Sequence, residues 1–135
     1  MEVFTLKKRK YFVEAAKGYK AVNNGIVIQA ALVLPNNKTT QPVDACGVGF
    51  TATKKLGKAH IRNFVKRRLR HIAGSLLPCY GLSGVNYIFI GRHNTAELNF
   101  AYLQRKIEAA LQDINNQISK DRQSNNVAKN NDCGN

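Results

Sequence analysis

From Thr51 to Ile72 the chain reads TATKKLGKAHIRNFVKRRLRHI, and two patterns are superimposed in it. Ile61, Val65, Leu69, Ile72 and, just beyond, Leu76 recur at helical spacings. On an α-helix they fall within an arc of about 80° and form one apolar seam. Lys54, Lys55, Lys58, Arg62, Lys66, Arg67, Arg68 and Arg70 fill much of the rest, joined by His60 and His71. The stretch holds no Asp or Glu, so the acidic i±4 partners that normally lace a surface helix are missing. A helix over about 60–76 that packs by its seam must show cations over most of its remaining surface. Arg62, Lys66 and Arg70 make a ridge beside the seam, Arg67 lies further round, and Phe64 and Arg68 flank the other side.

The whole chain shares this bias. Its 135 residues suit one domain, 44% of them are hydrophobic, and the formal net charge is +13. Such a surface attracts polyanions: nucleic acid, an anionic membrane or an acidic protein. No run approaches the roughly 18 apolar residues of a membrane span. The start, MEVFTLKKRKYF, lacks the apolar region of a signal peptide. A cytoplasmic nucleic-acid partner is the favoured expectation, with no membrane and no small-molecule substrate.

Around the basic stretch the coarse organisation is that of a scaffold. Residues 1–5 read as a loose leader. LKKRKYFVEAAK suits a short helix over 6–17, stopped by Gly18. GIVIQAALVL, 25–34, reads as a strand apolar on both faces. Turn chemistry follows at 35–38 and a polar loop over 36–44. A second strand over 45–53 alternates Val48, Phe50 and Ala52 with Gly49, Thr51 and Thr53, and is expected to pair antiparallel with the first. After the basic helix, Pro78 to Gly84 reads as a turn, and VNYIFIG, 85–91, as a third strand. Asn99 is placed to cap a last helix with Phe100, Leu103, Ile107, Leu111 and Ile114 on one face. The domain is expected to span 1–118, and the polar tail 119–135 to be disordered.

Catalytic chemistry is poorly provided for. Cys46, Cys79 and Cys133 are odd in number and far apart, which argues against a disulfide framework or zinc site; small buried hydrophobes and one tail thiol are expected. The carboxylates Glu2, Glu14, Asp44, Glu97, Glu108, Asp113, Asp121 and Asp132 are scattered, where a metal-dependent nuclease clusters them. No catalytic residue and no metal ligand is assigned. Binding is better served: the cations can neutralise several phosphates, and Asn63 can bond a sugar or base edge.

At these residues the chain resembles a known family. GFTATKK, the loop LGKAH and IRNFVKRRLR are similar to the signature of the protein subunit of bacterial ribonuclease P. That signature is roughly G-[LF]-[ST]-V-[ST]-K-K, a Gly-containing loop, then R-N-R-x-K-R-x-x-R. GVNYIFIGR, KKRKYFVEAAKG and IVIQAAL resemble further parts of the family, and the resemblance covers about residues 5–115. It implies an α+β fold, a two-layer sandwich of a small central sheet with helices in the order α-β-β-β-α-β-α. That fold is ribosomal-protein-like, with a left-handed βαβ crossover holding the basic helix. Only three strands are evident from the residues; the fourth is expected from splitting or extending the 25–53 region.

The function implied is assistance in removing the 5′ leader of precursor tRNA. Catalysis would be carried by the RNA subunit, which would also hold most of the Mg²⁺. By motif match, Lys54, Lys55, Lys58, Arg62, Asn63, Lys66, Arg67 and Arg70 would contact RNA, chiefly that catalytic subunit. Phe12, Thr51 and Thr53 would line a cleft for the leader, and Phe12 serves equally well as core. Two positions depart from the pattern: Phe64 stands where the second Arg of R-N-R belongs, and Asn86 where Asp is common. Phe64 either stacks on a base or extends the core, and the missing Arg contact falls to Arg68 or Lys66 if to anything. The rival reading is an RNA-binding or ribosomal protein with no nuclease role, and a DNA-binding module stands behind it.

Overall fold

The computed structural model describes residues 2–32 and 45–125. The elements run β1 (Glu2–Thr5), α1 (Arg9–Ala16), β2 (Tyr19–Asn23), β3 (Ile26–Leu32), β4 (Ala45–Thr51), α2 (Ala59–Tyr80), β5 (Val85–Gly91) and α3 (Phe100–Asn125), with one 3₁₀ turn at Lys54–Leu56. The strands form a single mixed sheet in the order β1-β4-β5-β3-β2. β1, β4 and β5 are parallel, while β5, β3 and β2 alternate in direction. This is an α+β fold, and α2 is the crossover between the parallel neighbours β4 and β5.

The sheet has two covered faces of unequal size. Alternation along the strands sends Ile26, Ile28, Ala30, Val48, Phe50, Val85, Tyr87 and Phe89 to the main core. There they meet Val65, Leu69, Ile72, Ala73 and Leu76 of α2 and Leu103, Ile107, Leu111, Ile114 and Ile118 of α3. A smaller cluster on the opposite face joins Leu6, Ala15 and Ile88 with Phe4, Tyr11, Phe12, Ala31 and Ile90. The sandwich of sheet and long helices thus carries the short α1 on its other side, over part of that face only.

Several sequence expectations meet a different arrangement. The N-terminal residues are no loose leader: Val3 and Phe4 pair with Cys46 and Gly47 and extend the sheet past β4. The fourth strand of the domain lies before residue 25, at Tyr19–Asn23, where Asn24-Gly25 turns it tightly into β3. Gly25 has φ of 86°, which favours glycine, so the turn is the two-residue hairpin type. β3 and β4 are not neighbours. β5 is inserted between them, with Phe89 opposite Ile28 on one side and Phe50 on the other. The reason is burial: Val85 to Phe89 are buried without a break, which only a central strand allows.

Helix ends also differ. α2 runs through Pro78 to Tyr80 instead of stopping before the proline. Pro78 removes one donor, and the residue four earlier, Gly74, is exposed where water can serve its carbonyl. Gly81 N–H donates to the Leu77 carbonyl at 2.7 Å and closes the helix. The buried Tyr87 hydroxyl then locks this corner, donating to Asn115 Oδ1 at 2.7 Å and accepting from Leu82 N–H at 3.0 Å. Asn99 caps α3 as expected, its Oδ1 accepting from Tyr102 N–H at 3.2 Å. α3 continues past Ile118 to Asn125, so the helix ends beyond the expected domain boundary. The loop at 36–44, the turn at 35–38 and residues 126–135 lie outside the described residues. Cys46 is buried, and burial pushes its thiol up to about 11, so it behaves as a small hydrophobe. Cys79 is exposed, contrary to expectation, because the turn at its position is helical and faces outward.

Candidate nucleic-acid interface

α2 presents the cations as its seam dictates. Val65, Leu69, Ile72, Ala73, Leu76 and Leu77 are buried, and Ile61 is half-buried. Asn63, Arg67 and Arg70 are exposed, while Arg62 and Lys66 lie half-exposed along the edge of the seam. Arg70 reaches back over β4, its guanidinium 5.7 Å from the centre of the Phe50 ring. The ridge Arg62–Lys66–Arg70 therefore faces the β4 side of the molecule.

The loop before α2 brings Lys54, Lys55 and Lys58 to the same end, all exposed. Gly57 has φ of 132°, a conformation few side chains tolerate, and it swings the chain from the 3₁₀ turn into α2. Arg62 Nε donates to the Gly57 carbonyl at 3.3 Å, tying ridge and loop together. α2 has no side-chain cap at Lys58 and no acid in its first turn. Its first N–H groups and positive dipole end therefore add to the Lys cluster.

On the other face of the sheet lies a groove of about 400 Å³. Its floor is Val27, Ile90 and Leu56, and its rim carries Lys20, Lys55, Arg92, His93, Gln29 and Thr53. Ile90 also belongs to the cluster under α1, so the groove borders the cluster that holds Phe12. Phe12 is half-buried with its ring over Gly49, where an added Cβ would stand 2.7 Å from Phe12 Cζ. Thr51 follows Gly49 on that face and is half-buried, and Thr53 is exposed. The three expected cleft residues thus share one face. Lys55 is in both the groove wall and the basic loop, so the groove and the α2 surface meet along 53–58.

Sequence reasoning missed Lys20, Gln29, Arg92 and His93 as groove residues. They come from β2, β3 and the end of β5, and only the sheet order brings them together. Arg68 proves to be an anchor. Its Nη1 donates to the carbonyls of Thr95 at 2.7 Å and Ala96 at 3.3 Å. Those two carbonyls engage its Nη1 within the protein and tie α2 to the loop after β5. Thr95, fully buried, in turn bonds Gly25 O and Arg92 N–H at 2.7 Å each, fastening the β2–β3 turn to the end of β5.

A basic α+β protein with a cation-covered crossover helix on one face and a cation-rimmed groove on the other is built to hold nucleic acid. The ribonuclease P family model matches residues 2–115. The chain belongs to the ribonuclease P protein family, whose members are subunits of the holoenzyme, work with its RNA subunit and act in tRNA processing. The ribonuclease P protein component of Paramagnetospirillum magneticum is 36% identical over 110 residues, 81% of this chain and 80% of that one. That of Caulobacter vibrioides is 37% identical over 106 residues, 78% of this chain and 67% of that one. The ribonuclease P protein of Staphylococcus aureus superposes with a TM-score of 0.63 at 26% identity, covering 80% of this chain and 92% of that one. The Thermotoga maritima protein has the same fold, with a TM-score of 0.65, 22% identity, and coverage of 82% and 96%.

Among the described residues no three His, Cys, Asp or Glu side chains gather where they could hold a metal ion. Among the described residues no helix is long and apolar enough to cross a membrane.

Proposed function

We propose that the two surfaces divide the RNA between them. Lys54, Lys55, Lys58, Arg62, Asn63, Lys66, Arg67 and Arg70 hold the catalytic RNA subunit, and the groove leading to Phe12, Thr51 and Thr53 holds the 5′ leader of precursor tRNA. The RNA subunit carries catalysis and holds most of the Mg²⁺, and the complex works in the cytoplasm. The observation that carries this reading is the groove itself: apolar lining that shares Ile90 with the Phe12 cluster, with Lys20, Lys55 and Arg92 around it. A single strand needs that combination, with rings or apolar surface for bases and cations for phosphates.

Reconstitution is the decisive test. The protein alone should leave precursor tRNA intact, and with its cognate catalytic RNA it should restore leader removal at low Mg²⁺. Unchanged cleavage and unchanged substrate affinity on adding the protein would sink the reading. Within the reconstituted enzyme, Phe12→Ala should weaken precursor tRNA by roughly tenfold and leave mature tRNA nearly unchanged, the scale of one lost base stack. Phe12→Leu, which keeps apolar contact over Gly49, separates stacking from packing. Equal losses for both tRNAs would remove Phe12 from any leader cleft.

A further inference from the structure

The ridge and the groove leave the α3 flank of α2 unused. Phe64 and Phe100 stand there at 40% and 36% exposure. Singly exposed rings are ordinary, but these two are joined through a shared cation. The Arg68 guanidinium lies 5.3 Å from the Phe64 ring centre and 5.6 Å from that of Phe100. Its bonds to Thr95 O and Ala96 O fix where it sits. Arg67, exposed, reaches within 5.8 Å of the Phe64 centre. His71 meets the Phe100 ring edge-on, with centres 5.5 Å apart and planes at 61°. Planar groups therefore line one flank of α2, with Arg68 immobilised at the centre and Arg67 turned to solvent.

We propose that this row is a stacking platform for an unpaired base of the RNA subunit, held chiefly on Phe64 with a flanking phosphate on Arg67. The inference rests on the reading above and deepens it. Nucleobases suit the site because they offer flat π faces to Phe and guanidinium alike, and the phosphate beside a base supplies the anion that Arg67 lacks on its own helix. α2 carries no acid from Ala59 to Tyr80, so the helix around Phe64 is complementary in charge to RNA. The platform is on the helix face of the sheet, whereas the groove is on the α1 face, so the occupant is assigned to the RNA subunit and not to the leader. At position 64 the contact would then be made by stacking, where the family pattern has a cation.

The test measures binding of the full chain and its variants to the cognate catalytic RNA across a salt series. Phe64→Leu should bind roughly 5- to 50-fold more weakly with an unchanged salt slope, since a lost stack releases no counterion. Phe64→Tyr should stay within about twofold of the parent. Phe64→Arg should recover affinity only at low salt, with a slope steeper by about one. Phe100→Leu gives a second, smaller loss and keeps the test open should Phe64→Leu fold poorly. Parental binding by Phe64→Leu overturns the inference alone, and so does a loss that comes with a flatter slope. A loss confined to precursor tRNA in the holoenzyme, with RNA-subunit binding intact, would place the platform on the substrate and also overturn it. A parent protein that ignores the catalytic RNA overturns the functional reading itself.

Discussion

With Arg62, Lys66 and Arg67 all replaced by alanine, the protein is expected to bind the catalytic RNA roughly a hundredfold less tightly near physiological salt, with a salt slope flatter by about two. Arg62 and Lys66 lie half-exposed at the seam's edge, and Arg67 faces fully outward further round the helix. None contributes to the buried seam of Val65, Leu69 and Ile72. Each one that meets a phosphate releases counterions, so the slope, and not affinity alone, reports how many contacts are lost. Stability should hold, because Arg62 and Lys66 are like charges four apart and their removal relieves a repulsion of a few tenths of a kcal/mol. The structural losses are small: the long bond from Arg62 to the Gly57 carbonyl, at a solvated position, and the contact of Arg67 with the exposed Phe64 ring. Filter-binding or fluorescence titrations over a salt series, with thermal unfolding beside them, decide the matter. An affinity loss at parental slope would mean that the ridge acts through the shape of α2 and not through its charge.

This ridge could be foreseen because a helix carries its own coordinates: spacing alone puts Arg62, Lys66 and Arg70 together and Val65 and Leu69 beneath them. The cap at Asn99 and the strand Val85–Gly91 were legible for the same local reason. Strand pairing is not local. Nothing in Ala45–Thr51 says that its neighbours are Glu2–Thr5 and Val85–Gly91, and its nearest strand in sequence, β3, lies beyond β5. β2 did leave a signal, since Asn24-Gly25 between two alternating runs is hairpin chemistry. β1 left almost none: four residues become a strand only because β4 offers them a parallel partner.

The extension of α3 is also a tertiary effect. After Ile118 no apolar period supports a helix, yet Tyr19 Oη donates to Asp121 Oδ2 at 2.7 Å and Gln117 Nε2 to the Lys20 carbonyl at 3.0 Å. β2 therefore holds the end of α3, and a sequence in which β2 goes unseen gives no reason to continue the helix. The candidate site divides along the same line. The half on α2 was visible as a pattern, and the groove half, gathered from β2, β3, β5 and the turn at Lys54–Leu56, was not. Phe64 lay between: its place beside Arg68 was evident from the helix, but Phe100 joins them only through the packing of α3 near α2.

The largest loss of stability from a single small substitution is expected at Gly18. This residue closes α1, its N–H donating to the Ala15 carbonyl at 3.0 Å, and leads at once into β2. A Cβ placed on it would stand 2.1 Å from the carbonyl oxygen of Ala30 and 3.2 Å from its carbon. Those are backbone atoms of β3, held on both sides, with Ala30 opposite Tyr19 in β2 and Tyr87 in β5. No rotamer change can relieve the clash, so the corner between α1 and β2 must lift from the sheet. Gly18→Ala should therefore cost about 3 kcal/mol, the upper end for overpacking. With a urea slope of about 2 kcal/mol per molar, the unfolding midpoint falls by roughly 1.5 M.

Gly49→Ala is the instructive contrast. Its Cβ would meet Phe12 Cζ at 2.7 Å and Ile88 Cδ1 at 2.9 Å, the ends of side chains that can move. It should cost only about 1 kcal/mol while displacing the ring that faces the groove. Both variants should bind the catalytic RNA like the parent wherever they are folded, because α2 and its loop are untouched. Both should lose preference for precursor over mature tRNA, Gly18→Ala by moving α1 and Gly49→Ala by moving Phe12 alone. A Gly18→Ala protein that unfolds at the parental urea concentration would show slack between α1 and β3. The rigid frame that sets Phe12 over Gly49, and with it the leader cleft, would then lose its physical basis.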